Sequence, residues 1–184
     1  MAGPRRAEQY VTTLRDGLTL AARMRVLVEA MRGLSECQQE APPVGEPVLL
    51  DALLRETLDD LRPVCESRNV LLSFSCDVRL PVRSAPAQAG ELLFRLLESA
   101  LSLSRAGSCF SVTAARVGDK AALTVSWQPG PPPEFSPFSR PELGLLIAQA
   151  GWERAGAECV NSQSGGTPAC TLRLPLSLVE GNAI

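Results

Sequence analysis

The chain has 184 residues, a formal charge of −2 and a composition that is 45% hydrophobic, 21% charged and 4% aromatic, enough for one packed domain plus an appendage. A balance this close to neutral, with few aromatics, excludes a global basic field for nucleic acid or anionic membrane and leaves few platforms for stacking single strands. Histidine is absent, which excludes own-chain Ser-His-Asp or Cys-His catalysis, a His-ligated metal and a phosphohistidine relay. Lys120 is the only lysine and sits in a predicted hairpin turn, Gly118-Asp119-Lys120, outside any GxxxxGK[ST] motif, so no P-loop is expected. The six cysteines (Cys37, Cys65, Cys76, Cys109, Cys159, Cys170) form no CxxC pair and read as reduced thiols rather than as a metal site or disulfide framework. No stretch approaches the ~20 apolar residues of a membrane span. A cytoplasmic location is expected, with no metal, no nucleic-acid partner and no membrane partner.

Residues 1–34 are predicted to form one long helix. Tyr10, Thr13, Gly17, Leu20, Met24, Leu27, Met31 and Leu34 recur at three- and four-residue steps, and a second stripe runs through Val11, Leu14, Leu18, Ala21 and Val28. Two apolar stripes demand cover from more than one side. Either the helix packs on its own domain, or Leu20, Met24, Leu27, Met31 and Leu34 form a seam for a partner helix or a second copy. Six arginines against three acids make this helix basic, a property of many solvated helix faces and also one that attracts acidic partners.

Residues 35–47 (SECQQEAPPVGEP) read as a linker, and 48–184 as the main domain. The predicted elements in this domain are a helix from Leu49 to about Ser67, with Leu50, Leu53, Leu54, Leu58 and Leu61 inward and a kink expected at Pro63; then a strand, Val70–Cys76. A second long helix follows from about Pro86 to Ser104, then strands 108–116 and 121–127 around the Gly118 turn. After a Pro/Gly loop (128–138) come a short helix near 142–151, a strand near 154–162, the turn Ser164-Gly165-Gly166-Thr167 and a last strand, Ala169–Leu176. Helices on one face of a mixed or antiparallel sheet make an α+β, two-layer α/β sandwich, preceded here by a long N-terminal helix.

From residue 20 to 178 the order and spacing of short segments resemble the end of a bacterial sensor histidine kinase. The segments are Arg23-Met24-Arg25-Val26-Leu27-Val28-Glu29-Ala30-Met31 with Leu34-Ser35, then Glu46-Pro47-Val48 with Leu53-Leu54, Asp77, Leu80-Pro81-Val82, Phe135-Ser136-Pro137-Phe138, and Ser164-Gly165-Gly166-Thr167 leading into Leu174-Pro175-Leu176. The likeness spans the second helix of that family's dimerisation bundle and the ATP-binding domain of the gyrase, chaperone, kinase and mismatch-repair superfamily. It implies a sandwich of the histidine kinase ATPase type.

The family's functional boxes are altered at their key positions. Where the family carries N-x-x-x-N-A, this chain reads Arg95-Leu96-Leu97-Glu98-Ser99-Ala100, so Arg95 and Ser99 stand at the two asparagine positions, the second of which binds magnesium in the family. Glu91, Arg95, Ser99 and Ser102 share one helix stripe expected to face the pocket, with Leu93, Leu96, Leu97 and Ala100 facing the sheet. Serine is a poor magnesium ligand without carboxylate help. Arg95 either reaches phosphate or, as favoured here, pairs with Glu91 one turn back. Where the family has D-x-G-x-G, its aspartate reading adenine, Leu123-Thr124-Val125-Ser126-Trp127 ends in tryptophan and Gln128-Pro129-Gly130-Pro131 follows. Trp127 is expected on the inward face with Leu123 and Val125, as core filler in preference to a base-stacking platform. The family's glycine-rich lid is nearly absent. Arg140-Pro141-Glu142-Leu143-Gly144-Leu145-Leu146-Ile147 keeps the outline of GxGLGLxI with Arg140 and Glu142 at its early glycines, and Pro141 offers no N–H to phosphate.

Arg95, Ser99, Trp127, Gly130 and Gly144 therefore delimit a degenerate nucleotide pocket. The family's phosphoacceptor histidine lies on the first bundle helix, whereas the resemblance begins at the second. The expected function is a non-catalytic signalling or scaffold protein, without cofactor, acting through protein–protein contact. The expected partners are a second copy bound through the N-terminal helix and a response regulator or kinase. The alternative is a truncated kinase that binds ATP and magnesium and phosphorylates a partner in trans, as the superfamily's anti-sigma serine kinases do without an own-chain histidine. A third reading takes Pro129 and Pro132 as a PxxP ligand for an SH3-like partner; a rigid loop in place of the lid is preferred.

Overall fold

The computed structural model describes residues 10–18, 20–21, 24–25, 28, 31, 35, 47–77, 79–84, 86–130 and 141–177. Every described position from Tyr10 to Ser35 is helical, Ser35 being the first residue of the expected linker. The rest of that linker, up to Glu46, lies outside the described residues.

The main domain opens with β1 (Pro47–Leu49), a strand where composition alone suggests the end of a linker and the start of a helix. Three residues are too few to show a period. The strand is defined by its partner β3 (Pro81–Arg83), with Val48 opposite Val82 in an antiparallel pair. Helix α1 (Leu50–Ser67) follows without a spacer. It has no side-chain N-cap; the Leu50 amide instead donates to the Leu80 carbonyl at 2.9 Å, satisfying one orphan donor of the first turn. Leu50, Leu54, Leu58, Leu61 and Cys65 form its buried stripe, while Leu53 is only half-buried. Pro63 lies on the exposed side and the helix continues past it to Ser67. Asn69 (φ 53°) ends the helix in the left-handed region, with the Val70 amide returning to the Cys65 carbonyl at 2.9 Å.

The sheet has five strands in the order β2-β4-β5-β7-β6: β2 (Leu71–Cys76), β4 (Cys109–Val117), β5 (Lys120–Trp127), β7 (Thr167–Pro175) and β6 (Glu158–Ser164). β2 and β4 run parallel across an excursion through β3 and helix α2 (Pro86–Ser102); all other pairs are antiparallel. Strict alternation along β5 sends Ala121, Leu123, Val125 and Trp127 into the core and leaves the residues between them half-exposed. Helices α1, α2 and α3 (Pro141–Arg154) supply the other layer of that core.

Helix α3 runs further than expected, through Arg154, and β6 starts later, at Glu158. A glycine at 151 suggests a stop. The stop is instead Gly156 (φ 87°), where the Gly156 amide donates to the Glu153 carbonyl at 3.0 Å and the Ala157 amide to the Trp152 carbonyl at 2.9 Å. Trp152 consequently lies inside the helix and is fully buried.

Candidate functional site

Helix α2 divides its faces as its spacing predicts. Leu93, Leu96, Leu97 and Ala100 are completely buried, and Glu91 and Arg95 lie on the opposite stripe. The Arg95 guanidinium donates to Glu91 Oε1 at 3.0 Å one turn back, an exposed intrahelical ion pair. Further along, Ser102 Oγ meets Glu98 Oε1 at 3.5 Å. The end of α2 is held from outside: both terminal guanidinium nitrogens of Arg68 donate at 3.2 Å, one to the Leu101 carbonyl, which also accepts from the Ser104 amide, and one to that of Ser102.

Ser99 has a different fate from the rest of its stripe. It is 1% exposed, because α3 lies directly on it at Gly144. A methyl group at residue 144 would overlap Ser99 Oγ and sit 3.4 Å from Ser99 Cβ. One heptad on, a methyl at Gly151 would overlap Leu92. The two contacts run in opposite chain order, so α2 and α3 are antiparallel and packed backbone to side chain at both points. The glycine pair seven residues apart in α3 is the sequence signal for this packing; of the two, only Gly144 falls within the lid outline.

Trp127 stands opposite Phe110 at the end of β5 and is 6% exposed, in one core with Leu123 and Val125. Its indole offers a donor and no acceptor. The loop after it is tied to the end of α2. The Gly130 amide donates to the Leu103 carbonyl at 3.0 Å, and the Arg105 amide to the Gln128 carbonyl at 2.8 Å. A Cβ at Gly130 would lie 3.2 Å from both Arg105 Cα and the Ser104 carbonyl oxygen, so glycine permits this approach. Of the five pocket residues, the structure brings Ser99 and Gly144 together, places Trp127 and Gly130 at the strand end beside the α2 terminus, and occupies Arg95 with Glu91. Phe135, Pro137, Phe138 and Arg140 lie outside the described residues.

Of the expected seam, Leu20, Met24 and Met31 are helical and, with Val11, Leu14, Leu18 and Val28 of the second stripe, 58–72% exposed. Leu27 and Leu34 lie outside the described residues. A polar cluster under α3 carried no signal in the sequence. Gln149, buried, donates through Nε2 to Asn161 Oδ1 at 2.7 Å and to Cys170 Sγ at 3.2 Å, and Cys159 Sγ donates to the Gln149 carbonyl at 3.6 Å. Burial, reinforced by Glu153 and Cys170, pushes the Cys159 thiol up to about 12; burial also raises Cys170, partly opposed by the Gln149 hydrogen bond. These are inert structural thiols. No group of three or more cysteine or acidic side chains is placed to hold a metal among the described residues, and no helix there is long and apolar enough to cross a membrane.

In architecture the chain is similar to solved histidine kinase structures. The chain superposes on the histidine kinase AdeS of Acinetobacter baumannii with a TM-score of 0.65 at 16% identity, over 96% of this chain and 87% of that one. A histidine kinase of Burkholderia phymatum STM815 matches with a TM-score of 0.62 at 17% identity over 96% and 100% of the two chains. The catalytic domain of the histidine kinase ThkA matches over 71% of this chain and 95% of its own, with a TM-score of 0.60 at 20% identity. The fold is that of the histidine kinases. No protein-family model matches the sequence, and no curated protein does. At these identities the histidine kinase likeness carries architecture, and what the site does rests on its own residues.

Proposed function

We propose that this chain is a non-catalytic signalling module, a histidine-kinase-like domain retained for its packing and surfaces and acting through protein–protein contact. The observation that carries this reading is the burial of Ser99 under Gly144. Ser99 stands where the resemblance places the magnesium ligand, and a magnesium ion with its waters needs an octahedral shell of oxygens around it. A hydroxyl pressed against a helix backbone leaves no room for that shell. Trp127, at the position of the adenine-reading aspartate, presents a large apolar body without an acceptor. The Arg95 guanidinium is already paired with Glu91. On this reading the residues present do not fit a magnesium–nucleotide pair.

The same proposal assigns residues 1–34 to dimerisation, 35–47 to a linker and 48–184 to the kinase-like domain, working in the cytoplasm. The exposed seam at Leu20, Met24 and Met31 supports self-association, since contiguous apolar stripes on a soluble helix are normally covered. The second partner is a response regulator or kinase, in keeping with the architecture. Incubating the full chain with labelled ATP, magnesium and a panel of response regulators tests the reading. No transfer of label is expected. Stable label on a serine or threonine of an added protein would favour the trans-acting kinase instead.

A further inference from the structure

β2 is one edge of the sheet, and no strand pairs with its outer side among the described residues. The amides of Leu71 and Asp77 donate to the carbonyls of Ser108 and Ala114 at 2.8 and 2.9 Å. By the two-residue alternation, the N–H and C=O groups of Leu72, Phe74 and Cys76 point away from β4 toward the open side. Natural sheets guard such edges with charge, proline, bulges or a covering element. The other edge follows this rule: Glu158 opens β6 and is bridged to Lys120 at 3.2 Å and to Arg173 at 3.4 Å. β2, reading Leu-Leu-Ser-Phe-Ser-Cys, has neither charge nor proline, and its Leu71 is 69% exposed.

A groove of roughly 170 Å³ runs between this edge and α1, lined by Arg55, Leu58, Asp59 and Arg62 of the helix and by Leu72 and Phe74 of the strand. That is below the size of a small-molecule pocket and suits side chains of an extended chain. Its floor is apolar. Its charges are two guanidinium groups against one carboxylate, and Asp59 is engaged by Arg62 at 2.8 Å. Arg55 makes no ion pair among the described residues; its guanidinium lies 5.5 Å from the centroid of the Phe74 ring, at the groove wall.

We infer that β2 and this groove dock an extended, acidic peptide segment of a protein partner, which adds a strand to the sheet. Its main chain pairs with Leu72, Phe74 and Cys76, its apolar side chains alternate into the Leu58–Leu72–Phe74 floor, and a carboxylate meets Arg55. Charge complementarity selects the acidic occupant: the one unpaired ion in the groove is a cation. The site contains none of Ser99, Trp127 or Gly144, so it stands or falls independently of whether the chain binds nucleotide.

The test is titration of the full ¹⁵N-labelled chain with a seven-residue peptide that alternates valine with threonine around a central glutamate. Amide shifts should centre on Leu72, Phe74 and Cys76, and hydrogen exchange at those three should slow on binding. Arg55→Glu, or a central lysine in the peptide, should weaken affinity by about tenfold or more; the lysine peptide needs no variant and so reads the charge term on the native fold. N-methylating alternate peptide amides should abolish binding, because the ladder is lost. The inference is overturned by no shifts at millimolar peptide, by shifts centred elsewhere, or by undiminished binding of the N-methylated peptide. It is equally overturned if the three amides exchange slowly in the free chain, since the edge would then already be covered by the chain itself or by a second copy.

Discussion

Gly151→Ala should destabilise the fold, against the local preference of a helix. An alanine in place of glycine inside a helix normally gains about 1 kcal/mol. Here the added Cβ would sit 3.0 Å from Leu92 Cδ1 and 3.3 Å from Leu92 Cγ, and would overlap Cδ2. Rotating the leucine methyls relieves the overlap but leaves the Cγ contact, and Leu92 is buried. Overpacking of this kind costs about 1–3 kcal/mol, so the net loss should be roughly 0–2 kcal/mol once the helix gain of about 1 kcal/mol is subtracted. Leu92→Ala alone should cost about 2–5 kcal/mol. In the double variant the new methyl occupies part of the space the leucine vacates, so the pair should be more stable than the sum of the singles by about 1–3 kcal/mol. Urea unfolding followed by tryptophan fluorescence reads all three, since Trp152 is buried in the same helix. A gain of about 1 kcal/mol for Gly151→Ala, with no coupling to Leu92, is what a methyl in open space gives; it would mean that α2 and α3 do not pack here.

The N-terminal seam is tested by sedimentation velocity: the parent chain should self-associate, and Met24→Glu with Met31→Glu should leave a monomer of unchanged helicity. A monomeric parent would remove the dimer from the proposal. Among the described cysteines, alkylation at pH 8 should label the exposed Cys109 first and leave the half-buried Cys159 and the fully buried Cys170 among the last, because only a negligible fraction of the Cys159 thiol, raised to about 12, is thiolate at that pH; early loss of the Cys159 thiol would contradict that raised value. Trp127→Asp places the family's residue at its position and should still give no nucleotide binding. It should lose about 3–5 kcal/mol for the deleted core volume, with a further cost for a carboxylate in an apolar site. Recovery of magnesium-ATP binding in this variant would show that the tryptophan alone closed the pocket.

The elements easiest to read in the sequence were those with a long period. The stripe Leu50, Leu54, Leu58 and Leu61, though not Leu53, which is half-buried, the buried quartet Leu93, Leu96, Leu97 and Ala100, and the alternation from Ala121 to Trp127 lie where their spacing predicts. β1 was not legible, because its three residues are a strand only by pairing with β3, more than thirty residues on. The length of α3 was misjudged for a related reason. Gly151 looks like a terminator, yet its missing side chain serves a tertiary contact, and Gly156 with its left-handed backbone is the actual stop. At the site, residue chemistry was legible and neighbours were not. The Arg95–Glu91 pair follows from four-residue spacing, whereas Ser99 against Gly144 depends on how two helices meet. The Gln149–Asn161–Cys170 cluster had no linear pattern, since it joins α3 to two strands.

The central proposal, that the domain works without nucleotide, is tested most directly by calorimetric titration of the unmodified full chain with magnesium-ATP up to millimolar concentration. With Ser99 beneath Gly144 and Trp127 in the core, no saturable heat is expected. A saturable, magnesium-dependent isotherm with one site per chain would contradict the proposal.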